Sequence, residues 1–206
     1  MDLRSSQSVQ AKNVLFILGE AFEDAEAVVL MSALKWTEYR PHLTPVNVVV
    51  TGLRPIVHGR FGADFPIDIP IDEVDPDNFD AVIVPGGFRS RGFEEVYDER
   101  VLSILRAMDA QGKPIVALCV GVFVLGEAGI LEGRCATVYE LSSHRDNRAC
   151  LEGYGVLSVR ERICVDGNLL SCTGPAVSEE AAAWLLEKLI GKDQADEISR
   201  FRLGLR

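Results

Sequence analysis

Apolar positions along this chain repeat in two ways. VLFILG (14–19), VNVVVTG (46–52), FDAVIVPGG (79–87) and PIVALC (114–119) are nearly unbroken apolar runs rich in β-branched residues. That is the pattern of strands covered on both faces in a parallel sheet. FEDAEAVVLMSALKWT (22–37), DERVLSILRAMDAQGK (98–113) and SEEAAAWLLEKLIG (178–191) instead space their apolar residues along one face of a helix. Acids at 23, 24 and 26 suit the positive end of the first helix; Gly112 suits the stop of the second and Ser178 the N-cap of the third.

The remaining stretches are less regular. Residues 56–71 alternate weakly and carry Gly and Pro, which predicts a hairpin or an irregular excursion. A helix is expected over 120–131, a short strand over 134–139, a hairpin over 163–172 turning at Asp166-Gly167-Asn168, and a last helix over about 192–202. Residues 1–12 read as a flexible polar tail, and 13–206 as one domain. Strand and helix alternate for most of the chain, so the expected architecture is α/β, with a mostly parallel central sheet and helices on both faces.

Composition narrows the function. The chain has 206 residues, 48% of them apolar and 25% charged, with a net charge of −10. An acidic surface repels phosphate backbones and acidic membranes, so neither nucleic acid nor membrane is an expected partner. No apolar run approaches the roughly 20 residues of a membrane span. The first residues lack the apolar core of a signal peptide, so a cytoplasmic address is expected. The five cysteines, 119, 135, 150, 164 and 172, form no CxxC pair, and neither a metal nor a cofactor is expected.

Reactive groups in such sheets gather at the carboxyl ends of the strands. Three strand ends carry candidates. The first leads through Gly19-Glu20 to Glu26, the third ends at Pro85-Gly86-Gly87, and the fourth ends at Cys119. Ala117-Leu118-Cys119-Val120-Gly121 has the small-x-nucleophile-x-Gly form of a nucleophile elbow, although a buried strand-end cysteine reads equally well. The amides and dipole of the following helix would favour thiolate over thiol. Gly86 and Gly87 could turn amides toward a ligand and form an oxyanion hole with the Val120 N–H, or could simply make a tight turn. Glu26 lies among Ala25, Ala27 and Val28, which turns it inward, whereas Glu23 and Asp24 read as solvated dipole partners.

Other features have mixed readings. Thr173-Gly174-Pro175 shapes the turn into the following helix and could line a pocket, and Cys172 is a packing residue or a second thiol. Arg89 and Arg91 read as solvated loop residues or an anion site. His42 and His58 fall in expected loops, and His144, on an expected surface helix, is the one histidine within plausible reach of Cys119.

FEDAE (22–26), FDAVIVPGG (79–87), GKPIVALCVG (112–121) and DGNLLSCTGPAVSEEAA (166–182), in this order, resemble the ThiJ/PfpI superfamily from about residue 13 to 191. That group includes the parkinsonism-associated deglycase, PfpI peptidases and isonitrile hydratases. The resemblance implies a flavodoxin-like three-layer sandwich of the class I glutamine-amidotransferase-like type. It also implies Cys119 as elbow nucleophile, Glu26 as its carboxyl partner, and Gly87 and Val120 as oxyanion amides, with a homo-oligomer, dimer or hexamer. Gly86, Tyr139, Gly174 and Pro175 complete the expected substrate site.

The chain also departs from that pattern. Val120 stands where PfpI-type peptidases carry His, Phe88-Arg89-Ser90-Arg91 where they use a partner-subunit Glu, and Tyr139 where the deglycase-like branch carries His. The expected function is therefore a cysteine-dependent enzyme acting on a small electrophile: an α-oxoaldehyde, a glycated adduct or an amide. The alternatives are an oxidant-sensing stress protein and a non-catalytic ligand-binding module, and peptidase activity is not expected.

Overall fold

The unbroken apolar runs become neighbours in one sheet. The computed structural model describes residues 10–204. Its first half runs β1 (Lys12–Ile17), α1 (Asp24–Lys35), β2 (Val46–Gly52), β3 (Ile56–His58), β4 (Asp64–Pro66), β5 (Ile69–Pro70), β6 (Ala81–Val84) and α2 (Glu99–Ala110). The second half runs β7 (Ile115–Leu118), α3 (Val122–Glu127), β8 (Cys135–Ala136), α4 (Asn147–Glu152), β9 (Leu157–Ser158), β10 (Ile163–Asp166), β11 (Leu169–Cys172), α5 (Ser178–Ile190) and α6 (Lys192–Leu203). Seven strands form the main sheet in the order β10-β11-β7-β6-β1-β2-β5. Every pairing in it is parallel except β10 with β11.

Strand periodicity divides the core into two. Val14, Phe16 and Leu18 face the layer of α1, α5 and α6, while Leu15 and Ile17 face the layer of α2 and α3. β6 and β7 alternate in the same way. Each central strand is therefore apolar at every position because each face is covered, which is the flavodoxin-like three-layer sandwich.

Several local expectations change. Lys12, placed in the expected tail, belongs to β1 and pairs with Asp80 at 2.9 Å, and residues 1–9 of that tail lie outside the described residues. Asp24 is more than a dipole partner: its carboxylate accepts the Phe61 and Ala63 N–H groups at 2.9 and 2.7 Å and pins the β3–β4 hairpin to α1. His58 lies in β3 rather than in a loop.

Over 120–131 the helix shortens to α3, because Cys119–Gly121 is a 3-10 turn and Gly129 takes a left-handed φ of 76°. The strand expected over 134–139 narrows to β8, which pairs only with β9. Beyond it the Thr137 N–H turns to Ser171 Oγ at 3.0 Å. Ser178 is not a cap. The 3-10 turn Pro175–Val177 runs straight into α5, so Ser178 already has helical φ and ψ, and its hydroxyl is buried without a partner among the described residues. Gly112 does end α2, with φ 66°.

The junction from β7 to α3 depends on space rather than torsion. Gly121 has φ −59°, open to any residue. A Cβ there, however, would stand 2.6 Å from the carbonyl oxygens of both Val84 and Pro85. Gly121→Ala is expected to cost about 3 kcal/mol, because the obstructing atoms are backbone. Gly112→Ala, where nothing crowds the added Cβ, is expected to cost about 1 kcal/mol of left-handed strain. Urea unfolding of both variants checks this, and the reverse ranking contradicts it.

Candidate active site

Cys119 stands where β7 gives way to α3, with φ 54°. A left-handed non-glycine residue costs roughly 1–2 kcal/mol, and here it throws the side chain off the sheet toward α1. A Cβ placed on Gly86 would lie 2.6 Å from Cys119 Cβ, 3.2 Å from Cys119 Sγ and 3.1 Å from Glu26 Oε2. The thiol and the carboxyl therefore meet over the bare Cα of Gly86.

Glu26, in the first turn of α1, is completely buried. Its Oε2 accepts the Gly86 N–H at 2.6 Å, and its Oε1 has no partner among the described residues. Burial, only partly opposed by the Gly86 N–H and the Cys119 thiol, pushes its carboxyl up to about 8. Cys119 is part-exposed to a cleft, but the protein around its sulfur and the Glu26 charge push the thiol well above its ordinary range, against the pull of the Val120 N–H. The expected thiolate is thus not the resting state. Desolvation outweighs a dipole that begins in a 3-10 turn and continues through only the six residues of α3.

The neighbouring amide is also placed. Glu23 N–H to Gly86 O (2.9 Å) and Phe88 N–H to Ala21 O (2.9 Å) bridge the two loops and leave the Gly87 N–H out of the ladder. Gly87, Cys119, Val120, Tyr139, His144 and Pro175 line one cleft of about 770 Å³, with Glu23, Arg89, Glu94 and Arg145 also on its walls. A Cβ on Gly174 would lie 3.5 Å from the Tyr139 ring and 4.0 Å from Glu26 Oε1. The sequence candidates Glu26, Gly86, Gly87, Cys119, Val120, Tyr139, Gly174 and Pro175 therefore gather at one sheet edge.

The remaining candidates separate. His144 does line the cleft, from the loop before α4 rather than from a helix. His42 pairs with Glu197 and His58 with Glu20, and neither lines it. Cys172 is fully buried beside the pair, its thiol pushed up to about 12 by burial and by Glu26. Arg145 and Asn147 also line the cleft and were not legible in the sequence. Asn147 Nδ2 donates to Tyr139 O at 2.7 Å, a tertiary contact with no local signature.

The sequence pattern of the DJ-1/PfpI family matches residues 12–188. The chain belongs to the DJ-1/PfpI family. It is 31% identical over 175 residues to Deglycase PfpI of Pyrococcus furiosus, covering 84% of this chain and 95% of that protein. It is 34% identical over 116 residues to the isonitrile hydratase of Pseudomonas putida, covering 56% of this chain and 48% of that one. Toxoplasma gondii DJ-1 in its oxidised form superposes with a TM-score of 0.77 at 27% identity, covering 95% of this chain and 99% of that chain. Drosophila melanogaster DJ-1beta superposes with a TM-score of 0.80 at 24% identity, covering 96% and 100%, a likeness of fold. Among the described residues no helix is long and apolar enough to cross a membrane.

In this DJ-1/PfpI chain the Glu26 proton is a stability element. Between the ordinary value of 4.5 and about 8 the folded chain holds a proton that the unfolded chain has released. Its contribution is fully present below pH 4.5 and is lost as pH rises through 8. Across that window Glu26 is expected to lower stability with rising pH by up to about 1.4 kcal/mol per pH unit. Glu26→Gln, which keeps a neutral group of the same shape, should remove that slope. Unfolding curves of both proteins from pH 5 to 9 check it, and identical pH dependence would contradict it.

Proposed function

We propose that the chain is a cysteine-dependent enzyme acting on small electrophilic carbonyl compounds, α-oxoaldehydes or their glycation adducts. One observation carries this reading: a part-exposed thiol at the floor of a cleft touches a buried carboxyl over Gly86. The family relationship, which includes a relative named a deglycase, supports the substrate class.

At neutral pH the pair holds two protons. Loss of one, near pH 8, leaves a single proton shared between sulfur and carboxyl, a property of the pair rather than of either group. In that state Sγ adds to the aldehyde carbon and the carbonyl electrons move to oxygen, facing the Gly87 and Val120 amides. The oxygen takes the shared proton from Glu26, giving a hemithioacetal and a Glu26 carboxylate. Glu26 then removes the hydrogen of the former aldehyde carbon. Its return to the adjacent carbonyl carbon, as the hydroxyl proton of the first carbon passes through an enediol to the neighbouring oxygen, gives the thioester of a 2-hydroxy acid. Water cleaves the C–S bond and releases the 2-hydroxy acid and the thiol. Tyr139, Gly174 and Pro175 shape the wall against which the substrate lies. Oxidant sensing, the alternative reading, needs an ionised thiol at rest, and burial works against it.

Wild-type protein is expected to convert methylglyoxal to lactate, with kcat/KM rising through an apparent pKa near 8. Cys119→Ser should lose at least about 100-fold, and Glu26→Gln should lose the step in the pH profile. Full turnover by Cys119→Ser removes this function.

A further inference from the structure

Two arginines line the Cys119 cleft, and the reaction proposed above uses neither. Arg145 is held on two sides. Its Nε donates to Asn147 Oδ1 at 2.8 Å, and its guanidinium carbon lies 4.3 Å from the centre of the Phe123 ring. Asn147 is itself buried and tied to Tyr139 O. The cation is therefore fixed by α3 and the cleft wall at little remaining entropic cost. Among the described residues no carboxylate pairs with it.

Arg89 pairs loosely with Glu94, Nε to Oε1 at 3.9 Å, and lies 5.1 Å from the centre of the Tyr97 ring. The charges of both arginines reach Tyr97, whose hydroxyl is buried without a partner among the described residues. Two acids share the cleft walls: Glu94, which meets Arg89 only at 3.9 Å, and Glu23, which caps α1 by accepting the Ala25 N–H. A fixed, planar, unpaired guanidinium in a concave site is a receptor for a planar anion.

We infer that the substrate carries a carboxylate, received by the Arg145 fork with Arg89 as the second cation, while its carbonyl is presented to Cys119. The reacting carbonyl rests on the function proposed above; the anion subsite does not. The chemical class is a small α-oxoaldehyde that also carries a carboxylate.

Iodoacetate and iodoacetamide differ only in carboxylate against amide, and both alkylate a thiol with loss of iodide, so they test the subsite without turnover. The measurement is the Cys119 alkylation rate for each reagent, read by peptide mass spectrometry. The ratio of iodoacetate to iodoacetamide rates is expected to fall about tenfold in Arg145→Gln, the loss of one charge-assisted contact. It should fall less in Arg145→Lys and in Arg89→Gln. A ratio within twofold of wild type in Arg145→Gln overturns the inference. In wild type alone, propionate should slow iodoacetamide alkylation and equimolar propionamide should not; equal effects also overturn it. Loss of methylglyoxal turnover with the ratio response intact removes the function and leaves the subsite, and a flat ratio with turnover intact does the reverse.

Discussion

The thiol and the carboxyl meet because two backbones lack a Cβ. Gly121 lets the start of α3 lie against the carbonyls that end β6, and Gly86 leaves the gap that Cys119 and Glu26 share. The sheet order supplies the rest. β7, β6 and β1 are adjacent, so the three segments that follow them open at one edge. Among the described residues the non-glycine positions with left-handed backbone are Ala21 and Cys119, and both sit on that edge. Strain of roughly 1–2 kcal/mol at each persists because the surrounding ladder over-determines the loops: Ala21 donates to His58 O and accepts from Phe88 N–H.

Burial sets the protonation of the pair. A helix terminus is worth about 0.3–1 kcal/mol to a nearby charge at an exposed site, whereas desolvation shifts a buried carboxyl or thiol by several pKa units. Glu26 has one N–H donor and no cation, so the neutral acid is favoured, and a neutral acid beside the sulfur spares it the repulsion of a carboxylate. The same burial that silences the thiol at rest makes Glu26, once ionised, a stronger base than an exposed carboxylate.

Legibility in the sequence followed the range of the interactions. The four central strands could be read because burial on two faces demands apolar residues at every position. Glu26 could be told from its acidic neighbours because only it sits among alanines and valine, and the glycines at 86, 87 and 121 because strand ends need them for close approach. Features set by distant partners were hidden. Asp24 looked like a dipole partner until the 61–63 backbone came to it, and RCATVY looked like a strand until Ser171 drew Thr137 away. Arg145 and Asn147 carried no pattern at all, since what fixes them is an aromatic ring in α3 and the Tyr139 carbonyl.

The cleft therefore has two kinds of wall. Its floor is made from strand ends, a helix start and glycine backbones, where an added Cβ at Gly86, Gly87 or Gly121 would collide with neighbouring atoms. Its upper wall is made from side chains on the 3-10 turn at Arg89–Arg91 and on the loop before α4, where substitution disturbs no ladder. A fold arranged this way can keep one nucleophile while altering what it admits. Relatives named for deglycation and for isonitrile hydration are both similar to this chain, as this division of labour would allow. In this chain the upper wall carries Arg89 and Arg145, so the substrate preference proposed for it lies there rather than at the elbow.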